Sequence, residues 1–430
     1  MTQSLTVSPS RGLRGEITVP GDKSISHRSI MLGSLAEGTT CVHGFLEGED
    51  NLSTLKAFQA MGVNITRRSD GVLEIEGRGL HGLREPADVL DCGNSGTTMR
   101  LMTGLLAAQR FFSVLTGDQY LRKRPMKRVV EPLAAMGARI WGRDGAARAP
   151  LAINGAALRG IEYRSAIASA QVKSALLLAG LYAEGETTVH EPHLSRDHSE
   201  RMLAFFGAEV RSFAGGVTIR PEPRLEGREV RVPGDISSAA FFLVAALITP
   251  GSELLVRNVG INPTRSGILD ILRSMGGDLQ LLDERTLSGE PVADVLVRAS
   301  ALRGVEIGGD LVPRAIDEFP VISVAAALAE GTTLIRDAQE LRVKETDRIA
   351  AMVGELGSLG ARVEALEDGM RIEGVAGLQG ARVRSHGDHR IAMSMAVAAL
   401  RAAAPVTIED TACTATSFPN FWQLLEQVRA

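Results

Sequence analysis

Val19-Pro20-Gly21-Asp22-Lys23-Ser24 and Val232-Pro233-Gly234-Asp235-Ile236-Ser237 are two versions of one segment, 213 residues apart in a chain of 430. The same offset relates Gly38 to Gly251, so the chain reads as two homologous halves. A finer period lies inside them. Ala36-Glu37-Gly38-Thr39-Thr40 returns as Ala183-Glu184-Gly185-Glu186-Thr187-Thr188 and as Ala329-Glu330-Gly331-Thr332-Thr333, each time between an Ala/Leu/Val-rich run and a β-branched stretch. A helix ending in Gly and followed by a strand is expected at Met61-Gly62-Val63, Met136-Gly137-Ala138, Phe206-Gly207-Ala208, Met275-Gly276-Gly277 and Leu359-Gly360-Ala361, because Gly after a helix takes positive φ without strain. Apolar helices should begin near Ser24, Gly96, Ser169, Ser237, Phe319 and Arg390, at intervals of 68 to 82 residues. That makes six units, three per half. Each is a small α/β subdomain of helix, strand, helix and strand, with an apolar helix inside.

Composition narrows the function classes. A chain of this length is about two to four times the usual domain, which implies at least two domains. Hydrophobic residues at 44% and charged residues at 23% exclude a disordered chain. A net charge of −4 leaves no global basic field for nucleic acid or acidic lipid, and 4% aromatics argue against a base-stacking platform. Cys41, Cys92 and Cys413 form no CxxC pair, so neither a disulfide framework nor a thiolate metal site is expected, and a reduced cytoplasmic setting fits. The start, Met1 to Arg14, is polar and lacks an apolar targeting core. The longest apolar run, Ala239 to Ile248, is ten residues, too short to span a bilayer.

The residues that open the apolar helices carry unusual charge: Asp22-Lys23-Ser24 with Arg28, Asn94-Ser95-Gly96-Thr97, Ser169-Ala170-Gln171, Asp317-Glu318 and Asp388-His389-Arg390. A helix N-terminus favours anions, so Lys and Arg there oppose the dipole. Something anionic is expected to neutralise them. Arg122-Lys123-Arg124-Pro125-Met126-Lys127-Arg128 and Arg342-Val343-Lys344-Glu345-Thr346-Asp347-Arg348 add cations, as does Ser195-Arg196-Asp197-His198. Taken alone, the first run reads as a solvated face and Lys344-Glu345 as part of a salt-bridged helix face. His27, His198, His386 and His389 are candidate bases or ligands without metal spacing. Asp317 and Glu318 also suit N-terminal capping, Asp388-His389-Arg390 suits a helix cap, and Cys92 suits a structural thiol.

Jointly these segments resemble the 5-enolpyruvylshikimate-3-phosphate synthase family. The resemblance runs in family order through Gly21-Asp22-Lys23-Ser24-Ile25-Ser26-His27-Arg28, Gly93-Asn94-Ser95-Gly96-Thr97, Arg124-Pro125-Met126, Ser169-Ala170-Gln171, Asp317-Glu318-Phe319-Pro320, Arg342 to Arg348 and Asp388-His389-Arg390. It implies an inside-out α/β barrel of six subdomains in two domains. One would span 21–233 and the other 1–20 plus 234–430, with the active site in the cleft between. Ser169-Ala170-Gln171-Val172-Lys173, Arg196-Asp197-His198, Asn262-Pro263-Thr264-Arg265 and Thr416-Ser417-Phe418-Pro419 resemble the bacterial subclass with low glyphosate sensitivity. Ser95, Thr98 and Leu101 stand where the sensitive class usually has Ala, Ala and Pro, and Ser417 where it has Lys.

The implied reaction moves the enolpyruvyl group of phosphoenolpyruvate to the 5-hydroxyl of shikimate 3-phosphate and releases phosphate, with no cofactor and no metal. By resemblance Glu345, Asp317 and Lys23 are catalytic. Lys23, Ser24, Arg28, Ser169, Gln171, Asp317 and Lys344 would hold shikimate 3-phosphate. Lys23, Gly96, Arg124, Gln171, Arg348 and Arg390 would hold phosphoenolpyruvate. A cytoplasmic monomer without nucleic-acid or membrane partners is expected. Two alternatives share the scaffold: a transferase acting on UDP-N-acetylglucosamine, and a non-catalytic anion binder. The first usually has a reactive Cys near the Arg124 region and Lys-Asn at the first motif, whereas this chain has no Cys between 92 and 413 and reads Lys23-Ser24.

Overall fold

The computed structural model describes residues 3–430; Met1 and Thr2 of the polar start lie outside the described residues. The chain divides into two compact units, each with its own hydrophobic core. One comprises Gly21–Val232 with Leu287–Glu290. The other comprises the chain up to Pro20, Pro233–Thr286 and Pro291–Ala430.

The Gly21–Val232 unit holds three buried helices, Lys23–Leu35, Gly96–Ala107 and Ala170–Gly180. Each is followed by a strand that pairs on one side with a parallel neighbour and on the other with an antiparallel hairpin. Thr39–His43 lies between Glu229–Arg231 and the hairpin Asn64–Arg67/Leu73–Glu76. Phe112–Thr116 lies between Leu90–Asp91 and Arg139–Gly142/Arg148–Asn154. Thr187–His190 lies between Glu162–Arg164 and Val210–Phe213/Gly216–Ile219. Because Glu229–Arg231, at the end of the half, completes the sheet of the first repeat, the three repeats close on themselves. Alternation along Thr39–His43 buries one face of its sheet and leaves the other partly solvated.

The second unit repeats the plan around Ile236–Ile248, Phe319–Ala327 and His389–Ala399. Its first sheet takes Arg14–Thr18 as the parallel neighbour of Glu253–Gly260. Its last repeat ends without a hairpin, and Ser4–Val7 from the start of the chain supplies the antiparallel strand beside Val406–Glu409. All thirteen residues of Ile236–Ile248 are buried. Helices lie inside and sheets outside in both units, as the repeat pattern implied.

The expected segment boundaries need two corrections. Pro233 falls with the second unit, and the hairpin tip Leu287–Glu290 falls with the first. The tip is held by specific partners: Glu290 Oε1 lies 2.8 Å from His198 Nδ1, Gly289 O accepts from Arg201, and Ser288 Oγ accepts from the Arg231 N–H. Charge and hydrogen bonding at three positions outweigh the continuity of the strands. Among the described residues no helix is long and apolar enough to cross a membrane.

Local chemistry at the helix ends follows the sequence. Gly62, Gly137, Gly207, Gly276 and Gly360 all have φ between 84° and 109°, as the helix-terminating role requires. Asp22, Ser95, Asp235 and Asp388 cap their helices by accepting from Ile25, Thr98, Ser237 and Arg390 N–H groups at 2.8 to 3.1 Å.

Two positions give direct tests of this packing. Gly104 faces the helix Ala170–Gly180 so closely that a β-carbon there would fall 2.0 Å from Ala175 O. In an exposed helix Gly→Ala gains about 1 kcal/mol. Here Gly104→Ala should instead lose about 1–3 kcal/mol by overpacking, measured by chemical denaturation. His27 is fully buried, with Nδ1 2.7 Å from Thr54 Oγ1. Burial, then the charges of Lys23 and Arg28, holds its pKa well below the usual imidazole value. The unfolded chain therefore binds the proton more readily, and His27 costs stability as pH falls below about 6.5. His27→Gln should flatten the decline of melting temperature between pH 7 and pH 5. A decline as steep as in the parent protein would contradict a neutral buried imidazole.

Candidate active site

In the Gly21–Val232 unit the expected site residues cluster at the N-termini of the three buried helices. Lys23 opens Lys23–Leu35, and its Nζ pairs with Asp50 Oδ2 at 2.5 Å. Arg28 lies one turn further on, 6% exposed, donating to Ser199 Oγ and Ser174 Oγ at 2.7 Å and to Ser24 O at 3.0 Å. Burial lowers its pKa to about 10, which leaves it cationic at neutral pH. The two serines are themselves 2.6 Å apart.

The second helix start gathers three basic or amide groups. A β-carbon on Gly96 would meet Arg100 Nη1 at 3.0 Å and Arg124 Nη1 at 3.1 Å. Absence of a side chain at Gly96 therefore keeps both guanidinium groups close to the backbone. Arg124 donates to Asn94 Oδ1 at 2.6 Å, and Asn94 in turn donates to Asp118 Oδ2 at 2.7 Å. Asp118 also accepts from the N–H groups of Tyr120 and Leu121, which fixes the turn leading to Arg124. Arg100 donates to Gln171 Oε1 at 2.6 Å and to Pro125 O at 3.2 Å. Gln171 donates to Thr97 Oγ1, joining the second helix start to the third, where Ser169 is the N-cap.

Beneath the third helix start, Lys173 Nζ is buried between Glu191 Oε1 and Glu200 Oε1, both at 2.7 Å. Glu191 also accepts from the Ser195 hydroxyl at 2.5 Å and the Ser195 N–H at 3.1 Å, holding the turn that precedes Arg196. His198 is likewise committed to Glu290. Burial works against its charge, but Glu290 outweighs this and raises its pKa.

In the second unit the centre is Arg348, 1% exposed. Its Nε pairs with Asp388 Oδ2 at 2.8 Å, Nη2 with Glu345 Oε2 at 2.7 Å, and Nη1 with Asp317 Oδ1 at 3.4 Å. Burial acts to lower its pKa, yet the charges of Asp388, Glu345 and Asp317 raise it. Asp317 is also approached by Lys344 Nζ at 3.7 Å and Arg390 Nη2 at 3.9 Å, while Arg390 Nη1 donates to its backbone carbonyl at 3.0 Å. One buried cation thus brings together the carboxylates of Asp388, Glu345 and Asp317.

Several readings are corrected here. Lys344 and Glu345 do not lie on a salt-bridged helix face. They connect the 3-10 helix Gln339–Val343 to the helix Arg348–Ser358, where Asp347 accepts from the Ala350 N–H. Glu318 occupies the N-cap of Phe319–Ala327 without a side-chain cap bond; its carboxylate turns instead to Ser237 and Arg265. Cys92 is buried and its thiol is pushed up, chiefly by burial, in line with a structural role. His386 bonds Glu355 at an exposed position, and His389 lies 3.3 Å from Thr416 Oγ1. Arg100, Asp50 and Arg265 were not singled out for roles. Arg100 was signalled only by lying one helical turn after Gly96, and Asp50 by its place in a helix first turn.

The sequence profile of the family described as EPSP synthase (3-phosphoshikimate 1-carboxyvinyltransferase) matches residues 7–425. A curated 3-phosphoshikimate 1-carboxyvinyltransferase of Syntrophotalea carbinolica is 70% identical over 429 residues, covering all of both chains. That of Geotalea uraniireducens is 68% identical over 427 residues, 99% of each chain. The crystal structure of EPSP synthase from Acinetobacter baumannii superposes with a TM-score of 0.90 at 50% identity, covering 100% of this chain and 98% of that one. The enolpyruvyl transferase NikO from Streptomyces tendae shares the fold alone, with a TM-score of 0.80 at 16% identity over 100% of this chain and 98% of that one. The fold, the motif order and these full-length likenesses agree: the chain belongs to the EPSP synthase family of transferases.

Proposed function

We propose that this protein transfers the enolpyruvyl group of phosphoenolpyruvate to the 5-hydroxyl of shikimate 3-phosphate, releasing inorganic phosphate. One observation carries the chemical part of the reading. Glu345 and Asp317, two carboxylates able to move protons, sit on the same buried guanidinium, Arg348.

An alcohol adds poorly to an enol ester unless the alkene carbon gains a proton while the hydroxyl loses one. Glu345 donates a proton to the methylene carbon of phosphoenolpyruvate. Asp317 takes the proton of the acceptor hydroxyl as its oxygen bonds to the adjacent carbon. The tetrahedral adduct then loses phosphate: the carbon–oxygen bond to the phosphate breaks, Glu345 recovers a proton from the methyl group, restoring the double bond, and the proton held by Asp317 leaves with the phosphate. Lys23 serves the oxygens that gain charge in either direction. Arg124, Arg348 and Arg390 hold the phosphate and carboxylate of phosphoenolpyruvate, with the planar forks suited to such anions. Gly96 leaves room beside Arg124, and Gln171 stands at the same helix ends. Ser24, Arg28, Ser169, Gln171 and Lys344 hold shikimate 3-phosphate.

Phosphate release measured with phosphoenolpyruvate and each acceptor tests the assignment. Release should require shikimate 3-phosphate and be absent with UDP-N-acetylglucosamine. Release with the nucleotide sugar alone, or with neither, would sink it. Glu345→Gln tests the mechanism. Gln retains the shape but cannot deliver and recover a proton, so turnover should drop about 10²–10⁴-fold. Binding of phosphoenolpyruvate should persist through the three arginines. Melting should shift little, because Asp388 and Asp317 still pair with Arg348. Full turnover in this variant would overturn the role given to Glu345.

A further inference from the structure

The stretch Asn262-Pro263-Thr264-Arg265 takes no part in the mechanism above, yet Arg265 reaches Asp317, and Asn262, Thr264 and Arg265 carry polar side chains no more than 4% exposed. We propose that Arg265 is a positioning residue for Asp317, a fixed counter-ion that holds the carboxylate in place once substrate anions have taken up the neighbouring cations. The proposal rests on the reading of Asp317 as the base.

Among the described residues, Lys344, Arg348, Arg265 and Arg390 bring their charges within 4 Å of Asp317. Lys344 and Arg348 face Oδ1 at 3.7 and 3.4 Å; Arg265 and Arg390 face Oδ2 at 3.5 and 3.9 Å. Lys344, Arg348 and Arg390 are the ones that the proposed function gives to phosphate and carboxylate groups of the substrates. Each anion that binds divides their charge and directs their donors away from Asp317. Arg265 has no such second duty.

Its surroundings also prevent it from swinging away. Nη2 donates to Ser237 Oγ at 2.5 Å and lies 3.5 Å from Asp235 Oδ1, while Nη1 lies 3.3 Å from Glu318 Oε1. The Ser237 hydroxyl donates to that same Glu318 oxygen, which closes a ring of three side chains with Asp235 beside it. Asp235 and Ser237 belong to the start of Ile236–Ile248, and Glu318 to the start of Phe319–Ala327, so the ring spans two buried helices. The backbone of Arg265 is equally constrained. Asn262 Oδ1 accepts from Thr264 N–H at 2.9 Å and Thr264 Oγ1 at 2.8 Å; Asn262 O accepts from the N–H groups of Arg265 and Ser266 at 2.8 and 2.9 Å. Arg314 Nε donates to Pro263 O at 2.7 Å from outside the turn.

A buried ion cluster is a poor device for stability, since apolar residues of similar volume often serve as well or better. A base, by contrast, must remain ionised and aimed while its surroundings fill with substrate. Arg265 alone among the four cations meets that need without competing for ligand.

Steady-state phosphate release and melting curves on the full chain test this. Arg265→Met should lower kcat about 10²-fold with KM for both substrates within about threefold, as a misplaced catalytic group does. Because Arg265→Met takes the nearer cation from Glu318 and leaves Arg390 Nη1 at 3.7 Å, the double variant Arg265→Met/Glu318→Gln is made alongside; it should regain the melting temperature and not the turnover. In an Asp317→Asn background Arg265→Met should cause no further loss. Turnover that recovers with melting in the double variant would overturn the proposal, leaving Arg265 as a structural partner of Glu318. So would losses that multiply in the Asp317→Asn background, or an Arg265→Met enzyme of normal kcat. If Asp317→Asn itself keeps full turnover, the base assignment fails and the proposal falls with it; if Asp317→Asn is inactive while Arg265→Met is normal, the proposal alone fails.

Discussion

A helix buried on every side has no face on which to place polar residues. This constraint shapes the molecule six times over. Ile236–Ile248 answers it with side chains that are apolar or small, and the other central helices follow along most of their length, with buried cations such as Arg28, Arg100, Lys173 and Arg390 confined to their N-terminal turns. Both ends of such a helix must meet polar groups, and at the N-terminus the unpaired N–H groups require acceptors. Asp and Ser caps collect there, and the functional residues collect beside them. The fold and the placement of its chemistry therefore have one cause.

Cations at those same ends oppose the helix dipole, which argued for an anion to neutralise them. The structure meets part of that demand from within. Lys23 has Asp50, and Arg348 has Asp388, Glu345 and Asp317. Arg28 is held instead by two hydroxyls and a carbonyl. Resident carboxylates thus neutralise Lys23 in one unit and Arg348 in the other, while Arg28 keeps neutral hydrogen-bond partners. Of the three carboxylates on Arg348, Glu345 and Asp317 are the two proposed for proton transfer, so in that proposal binding and acid–base chemistry draw on one cation.

Internal repetition shows how little local structure says about chemistry. Asp22-Lys23-Ser24 and Asp235-Ile236-Ser237 begin equivalent helices with equivalent Asp caps. In the first, Lys23 presents a charge to Asp50 and is assigned to both substrates. In the second, Ile236 is buried and Ser237 is absorbed into the ring with Arg265 and Glu318. The repeat supplies the scaffold twice, and single side chains decide what each copy does.

The amino-acid sequence by itself determined the elements. Gly at five helix ends, Asp and Ser at the helix starts, and apolar runs of helical length act through neighbours a few residues away, so they are readable from order alone. The 213-residue offset and the six-fold spacing carried the repeats, and the quoted motifs carried the family. Tertiary structure alone decided the partnerships. That Arg348 gathers Asp317 and Asp388, that Glu318 abandons capping for Arg265, that Arg100 joins Gln171 to Pro125, and that Leu287–Glu290 belongs with Gly21–Val232 all depend on residues distant along the chain. An ion pair or buried hydrogen bond is specified by where two side chains end up in three dimensions, and no local pattern encodes that distance.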